Sequence, residues 1–436
     1  MNYKKLWFRL RGSYWFLPTI YSFISIVIVT TTTYLDYGFF QRLEEHIPSI
    51  LLTTHDMAMS LYSSLITAIL TMTTISFSSI MVVLTTTSSQ FSPRTLQDFM
   101  ADRITQHVLG IFSFGFVFSL ISLLLLKENS EVQFLNPLLT VFFSIVCLGA
   151  FILFIHHSTR WIQVNYLIGN IRNDTSEVIK QYFDKKHASY NYEWNETLLE
   201  ELEEKTERSV PADTSGYVQS IQFNELLNWA KERNVILKAH FQVGDYIQKG
   251  MPIFSYWTNG HEKEFESNGY REYILMGLER TGLYDIEFSI QKLVDIALRA
   301  LSPGINDPHT AINCLNRIGS LLAELGEHYY PTKYFADNEG TVRLIMDPKP
   351  YREYLYKSFY QIKHYGKHDV SVMNGILESL NNIAIVSDSE IQEEVWEFCK
   401  YILAAIDQKE LDVMDQDHIR HTAARLATTC RKELKW

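Results

Sequence analysis

The sequence predicts a mainly α protein: an N-terminal four-helix transmembrane domain, then a cytoplasmic α+β domain in which a small lipoyl-like β module precedes helices. Almost all long apolar runs of the 436-residue chain lie before Arg160, whereas the acidic excess behind its net charge of -11 lies mainly after it. Alternating apolar residues punctuated by glycine concentrate in one short stretch after Arg208, a pattern of strands and tight turns.

The transmembrane domain is assigned to residues 1–172, with spans at about 15–34, 52–86, 108–126 and 134–156. Each is long enough for roughly 30 Å of hydrocarbon. The first span (WFLPTIYSFISIVIVTTTTY) lacks small cleavage-site residues after it and reads as a retained anchor. Lys4, Lys5, Arg9 and Arg11 precede it, Arg94 and Arg103 follow span two, and Arg160 and Arg172 follow span four. The other two loops carry Asp36, Glu44, Glu45, Glu128 and Glu131 with only Arg42 and Lys127. The positive-inside rule then places both termini in the cytoplasm. Trp7, Trp15, Tyr34, Tyr37 and Trp161 stand near span ends, where interfacial aromatics belong.

Residues 173–208 read as a polar connector, 209–257 as the β-rich module with a helical insert (FNELLNWAKER), and 258–436 as a helical domain. That last domain is broken by a proline at SPGINDP and loosened near Tyr330 to Pro350. The acidic balance argues against a nucleic-acid partner, which needs clustered Lys and Arg. Cys147, Cys314, Cys399 and Cys430 form no CxxC, so neither a disulfide framework nor a zinc site is expected. No cofactor is expected.

The second span lies in a pattern running from Ile50 to Gln90, roughly 60 Å as one helix. Ser60, Ser64, Thr67, Thr71, Thr74, Ser78, Thr85 and Ser88 follow alternating steps of four and three, with Met81 filling the gap. This is a heptad seam of hydroxyls. Leu61, Leu65, Ile69, Ile80 and Val83 occupy the other face, read as the lipid side. Such a stripe serves either close helix packing or a solute path in which hydroxyls partly replace a hydration shell. His55 and Asp56 would then stand at the outer mouth and Arg94 at the inner one. The spans hold no central charged residue, which argues against a proton-coupled transporter or an intramembrane enzyme.

In LVDIALRALSPGINDPHTAINCLNRI a helix from Ile290 to Leu301 stops at SPG and a second starts at Asn306 or Asp307. Asp307 before Pro308 is a cap followed by proline at the first helical position. Asp295 and Arg299, four apart, suit a surface pair. His309 and Asn313 follow, and Asp295, Arg299, Asn306, Asp307 and His309 make up the candidate functional loop, for which surface or capping roles outweigh catalytic ones. GxSxG, P-loop, HExxH and GxGxxG motifs are absent from the sequence, so no enzyme is expected. His418, Arg420, His421 and Arg425 form a basic solvated face, and His156 and His157 close the fourth span.

The motifs SSQFSPRTLQDFM, SGYVQSI with VGDYIQKGMPIF, and QKLVDIALRALSPGINDP resemble those of bacterial predicted membrane proteins grouped as domain of unknown function twenty-two fifty-four. The resemblance runs from Ser13 to the helix after Asp307. It implies the topology above and a bacterial inner-membrane location, but brings no activity or catalytic residues. The block GLERTGLYDIEFSI, with Glu279, Arg280, Thr281 and Asp285, looks like that family's polar lead-in to the helix. SGYVQSI and GDYIQKGMPIF also look like two halves of a lipoyl-type barrel-sandwich hybrid, without a modifiable lysine at a hairpin tip. The functional expectation is a homo-oligomeric channel for ions or small solutes; the rival is a membrane-anchored sensor or scaffold.

Overall fold

A computed structural model describes residues 15–38, 53–95, 102–126, 135–187, 207–258, 269–282 and 284–436, with isolated residues 48, 99 and 202. The N-terminal cations with Trp7, the loop residues Arg42, Glu44, Glu45, Lys127, Glu128 and Glu131, and most of the acidic connector lie outside the described residues. The chain divides into two compact units, Met1–Leu167 and Ile168–Trp436.

The first unit contains four helices long and apolar enough to cross a membrane. They are α1 (Phe16–Gly38), α2 (His55–Gln90), α3 (Arg103–Leu124) and α4 (Leu135–Trp161). At 36 residues α2 is about 54 Å long and exceeds the hydrocarbon thickness. The helix α3 packs on α1, α2 and α4. Its Gly115 lets α4 approach closely, because a Cβ there would stand 2.6 Å from the Cys147 Sγ and 3.5 Å from the Ile69 Cδ1. Such small-residue contacts replace hydrophobic drive between membrane helices. Phe114, Phe118 and Phe143 fill the adjoining space, with the Phe143 ring edge-on to the other two.

The face of α2 opposite the seam corrects the expectation for Ile69, Ile80 and Val83. All three are buried inside the bundle rather than turned to lipid. Asp36 also differs from its expected loop position. It lies within α1, is buried, and accepts from the backbone N–H groups of Leu135 and Asn136, both at 2.8 Å. Its charge meets the positive end of α4, and orphan donors at a helix start explain why the carboxylate stays.

The helix α5 (Val164–His187) begins in the first unit and continues in the second. Two sheets follow. The larger has the order β1-β5-β3-β8-β7, from β1 (Arg208–Pro211), β3 (Val235–Ala239), β5 (Pro252–Thr258), β7 (Tyr334–Ala336) and β8 (Val342–Met346). The smaller has the order β4-β2-β6, from β2 (Gly216–Ile221), β4 (Tyr246–Ile247) and β6 (Ile274–Gly277). Among the described residues all pairings are antiparallel except β3 with β8. One core, holding Val218 and Ile247 with Leu237, Phe254 and Leu344, joins the sheets to α6 (Phe223–Glu232), the expected helical insert.

The β module therefore does not close at residue 257. Ile274–Gly277 pairs with β2, and the stretch expected to be loose near Tyr330 to Pro350 supplies β7 and β8. The remaining helices are α7 (Ile286–Ala300), α8 (Pro308–His328), α9 (Tyr351–Gly366), α10 (Val370–Val386), α11 (Ser389–Leu403) and α12 (Val413–Thr429). The helix α10 packs on α8 and α12, and α7 packs on α8 and α9. Asp285, Asp307, Asp369 and Asp388 cap α7, α8, α10 and α11, each accepting from a backbone N–H with its side chain. Because Asp285 is the cap, α7 starts at Ile286, one turn before the expected Ile290.

Candidate functional site

The seam on α2 is a line of hydroxyls along the helix, interrupted by the exposed Met81. Ser60, Ser64, Thr67, Thr71, Thr74, Ser78 and Thr85 are exposed and Ser88 is half-buried. Ala58, Tyr62, Ile69, Ser76, Ile80, Val83 and Thr87 are the buried residues of the same helix. With 3.6 residues per turn, Thr71 and Ile80 point in opposite directions, so the seam faces straight away from the chain's own bundle. Packing against the described helices of its own bundle is thereby removed as its explanation. The threonine hydroxyls donate to carbonyls one turn back: Thr67 to Ser63 at 2.9 Å, Thr71 to Thr67 at 2.8 Å, Thr74 to Leu70 at 2.9 Å and Thr85 to Met81 at 2.7 Å. Each proton is thus turned into the helix, and oxygen lone pairs are left outward.

A second polar group gathers where α2 ends, α3 begins and α4 ends. The SSQFSPRT motif makes a turn in which the Arg94 N–H donates to the Ser92 Oγ at 3.1 Å and the buried Thr95 hydroxyl donates to the Ser92 carbonyl at 2.7 Å. Asp102 caps α3, accepting from the Thr105 N–H at 3.0 Å. Its other neighbour is the His157 Nε2 at 2.9 Å, and the Trp161 Nε1 stands 3.0 Å from that same nitrogen. The Phe99 ring meets the Trp161 indole edge-on at 5.2 Å. Burial pushes the Asp102 carboxyl up, but the bonds from His157 and Thr105 outweigh it and hold the group below the usual carboxylate range.

In the second unit the candidate loop resolves into separate parts. Asp307 accepts from the Thr310 N–H at 3.1 Å and the Thr310 hydroxyl at 2.6 Å, as the cap expectation required. Its carboxyl is held below the usual range, first by the Thr310 hydroxyl. Asn306 adopts φ 49°, and both it and His309 are exposed. Asp295 is half-buried on α7 and accepts from the Gln291 amide at 3.2 Å, while Arg299 is exposed. Among the described residues no group of three or more His, Cys, Asp or Glu is placed to hold a metal ion.

The denser ionic cluster lies just upstream. Arg280 donates through Nε to the Asp285 Oδ2 at 2.8 Å, and its Nη1 lies 3.4 Å from the Glu287 Oε1. Lys349 bonds Glu287 at 2.5 Å from the far side. Burial raises the Glu287 carboxyl, but the Lys349 bond and charge, with Arg280, bring it below its ordinary value. Gly244, at φ +96°, closes the VGDY turn directly over this pair, since a Cβ there would fall 2.3 Å from the Asp285 Oδ2. Two sequence motifs thus meet at one ion pair.

Sequence reasoning missed Asp102, Glu287 and Lys349, and gave His157, Trp161, Arg280 and Asp285 only as separate features of a span end and of the polar lead-in. Asp102 three residues before Thr105 is a readable cap, and His157 and Trp161 share a helix face at a spacing of four. Their meeting across 55 residues has no local signature.

The model of the predicted membrane protein family DUF2254 matches residues 11–382. The chain belongs to the DUF2254 family. An uncharacterized protein of Mycobacterium tuberculosis, MT1328, is 27% identical over 399 residues, covering 86% of this chain and 72% of its own length. The uncharacterized protein Mb1321c of Mycobacterium bovis matches with the same identity and coverage. No solved structure matches the chain. The DUF2254 match spans both units, including the seam, the His157 cluster and the ion pair over Gly244.

Proposed function

We propose that this DUF2254 protein forms a homo-oligomeric conduit in a bacterial inner membrane, with the α2 helices of several copies surrounding a shared axis. The observation that carries the proposal is the direction of the seam. Eight hydroxyl positions run along α2 on the side away from its own bundle, where the α2 helices of further copies would enclose them. Outward lone pairs suit water or a cation, whose hydration shell they would partly replace. The mycobacterial relatives support the bacterial setting. Charge asymmetry supports cytoplasmic termini, with the C-terminal unit in the cytoplasm as the gating part. The proposal assigns the chain no catalytic role.

A second reading is favoured by the same hydroxyl bonds. Threonines that donate to their own helix tolerate lipid, so a single copy could be a membrane-anchored sensor or scaffold. Subunit number and ion flux separate the two. The conduit predicts an oligomer in mild detergent and flux of a small monovalent cation when the full chain is placed in liposomes. A monomer without flux contradicts it.

A further inference from the structure

Where α4 ends, one imidazole nitrogen has two neighbours it cannot satisfy together. The Trp161 Nε1, a donor, lies 3.0 Å from the His157 Nε2, and the Asp102 Oδ2, an acceptor, lies 2.9 Å from the same atom. A ring nitrogen carries either a proton or a lone pair. With a proton it donates to Asp102 and leaves the indole N–H without its acceptor. With a lone pair it accepts from Trp161 and turns electron density toward the carboxylate.

We propose that His157 is a proton-operated hydrogen-bond switch, which holds Trp161 when its Nε2 is bare and Asp102 when Nε2 carries a proton, a state that full protonation of the ring in acid compels. The proton comes from water and returns to it, and no covalent bond is made. Asp102 keeps its bonds from the Thr105 N–H and hydroxyl in either state, so the cap of α3 persists while one bond changes partner. Both His157 and Trp161 are buried, so the exchanged partner is not readily replaced by bulk water.

Among the described residues, the charged and titratable groups of the surrounding elements are few. They are Arg94 in the turn after α2, Asp102 and Arg103 at the start of α3, His107 one turn on, His156 and Arg160 on α4, and Tyr166 on α5. Arg94, Arg103, His156 and Arg160 are exposed, and His107 shares a bond with the Tyr21 hydroxyl at 3.1 Å. Asp102 is the charge bonded to the ring, so acid favours the Asp102 partner. The Trp161 indole also stands edge-on to Phe99 and, at 6.4 Å, to Tyr166 on the first turn of α5. Releasing it loosens the junction through which the chain continues from α4 into α5.

The test is nuclear magnetic resonance on the full chain in lipid nanodiscs, with the Trp161 indole signal assigned by its loss in Trp161→Phe. Between about pH 8 and about pH 5, that signal should move in a single titration toward the position of an unbonded indole. Nitrogen shifts of the His157 ring should show Nε2 passing from lone-pair to protonated form over the same range, a readout that needs no substitution. Asp102→Asn removes the anion that favours the protonated ring and should leave the indole signal closer to its bonded position at about pH 5. His157→Gln should leave the indole signal independent of pH. An indole signal that stays fixed in the unmodified chain, or titrates equally in His157→Gln, would overturn the switch.

Discussion

Replacing Asp285 by alanine should open α7 more than any single change to the SPGINDP loop. Asp285 is almost completely buried, caps α7 through the Phe288 N–H at 2.9 Å, and holds Arg280 through two guanidinium nitrogens. Loss of the cap costs about 0.5–2 kcal/mol. Removing one partner of a buried ion pair costs about 3–5 kcal/mol. The lower end applies here, because Arg280 is 24% exposed in its side chain and keeps Glu287 at 3.4 Å. Together these come to about 4 kcal/mol, a factor of about 10³ in local opening at 1.4 kcal/mol per decade. Asp285→Asn keeps an acceptor for the cap and loses only the charge, so its effect should be about 10²-fold. Hydrogen exchange of the α7 amides in the full chain reads this opening directly. An acceleration below about tenfold for Asp285→Ala would refute the assignment of that ion pair as the clasp of α7.

Gly115→Ala places a Cβ where the Cys147 Sγ lies 2.6 Å away and should cost about 1–3 kcal/mol in thermal unfolding in micelles; adding Cys147→Ala should recover most of it. Glu287 has its carboxyl below the ordinary value, so the stability it contributes is present above that value and is lost as acid protonates it in the fold. The second unit should weaken below about pH 5, and Glu287→Gln should flatten that slope in a pH series of unfolding midpoints. Asp307→Ala should cost about 0.5–2 kcal/mol and Asp307→Asn much less; a loss of function in Asp307→Asn at unchanged stability would mean that the carboxylate does chemistry.

The four spans were legible because a membrane helix must satisfy its backbone internally and be apolar for about 20 residues. The expected limits 15–34 and 134–156 fall close to the helices Phe16–Gly38 and Leu135–Trp161. Asp307 was legible because capping is local. Ile69 and Ile80 were not, since an isoleucine facing lipid and one facing another helix look the same in composition. Asp36 was placed in a loop because a carboxylate near a span reads as its end; only the N–H groups of Leu135 and Asn136 make it a buried residue. The strands β6 and β8 were missed for a different reason. Four and five residues long, they are defined by partners far away in the chain, Gly216–Ile221 and Val235–Ala239, and carry almost no periodic signal of their own.

Single cysteines test most directly whether the α2 seam lines the proposed conduit. Substitutions at Ser64, Thr67, Thr71 and Thr74 should react with a small charged thiol reagent in liposomes and change cation flux, in a background where Cys147, Cys314, Cys399 and Cys430 are replaced. Cysteines at the buried Ile69, Ile80 and Val83 should stay unmodified. Reaction along the whole seam with a change in flux is the predicted result; unreactive seam cysteines in a monomeric protein would contradict the conduit.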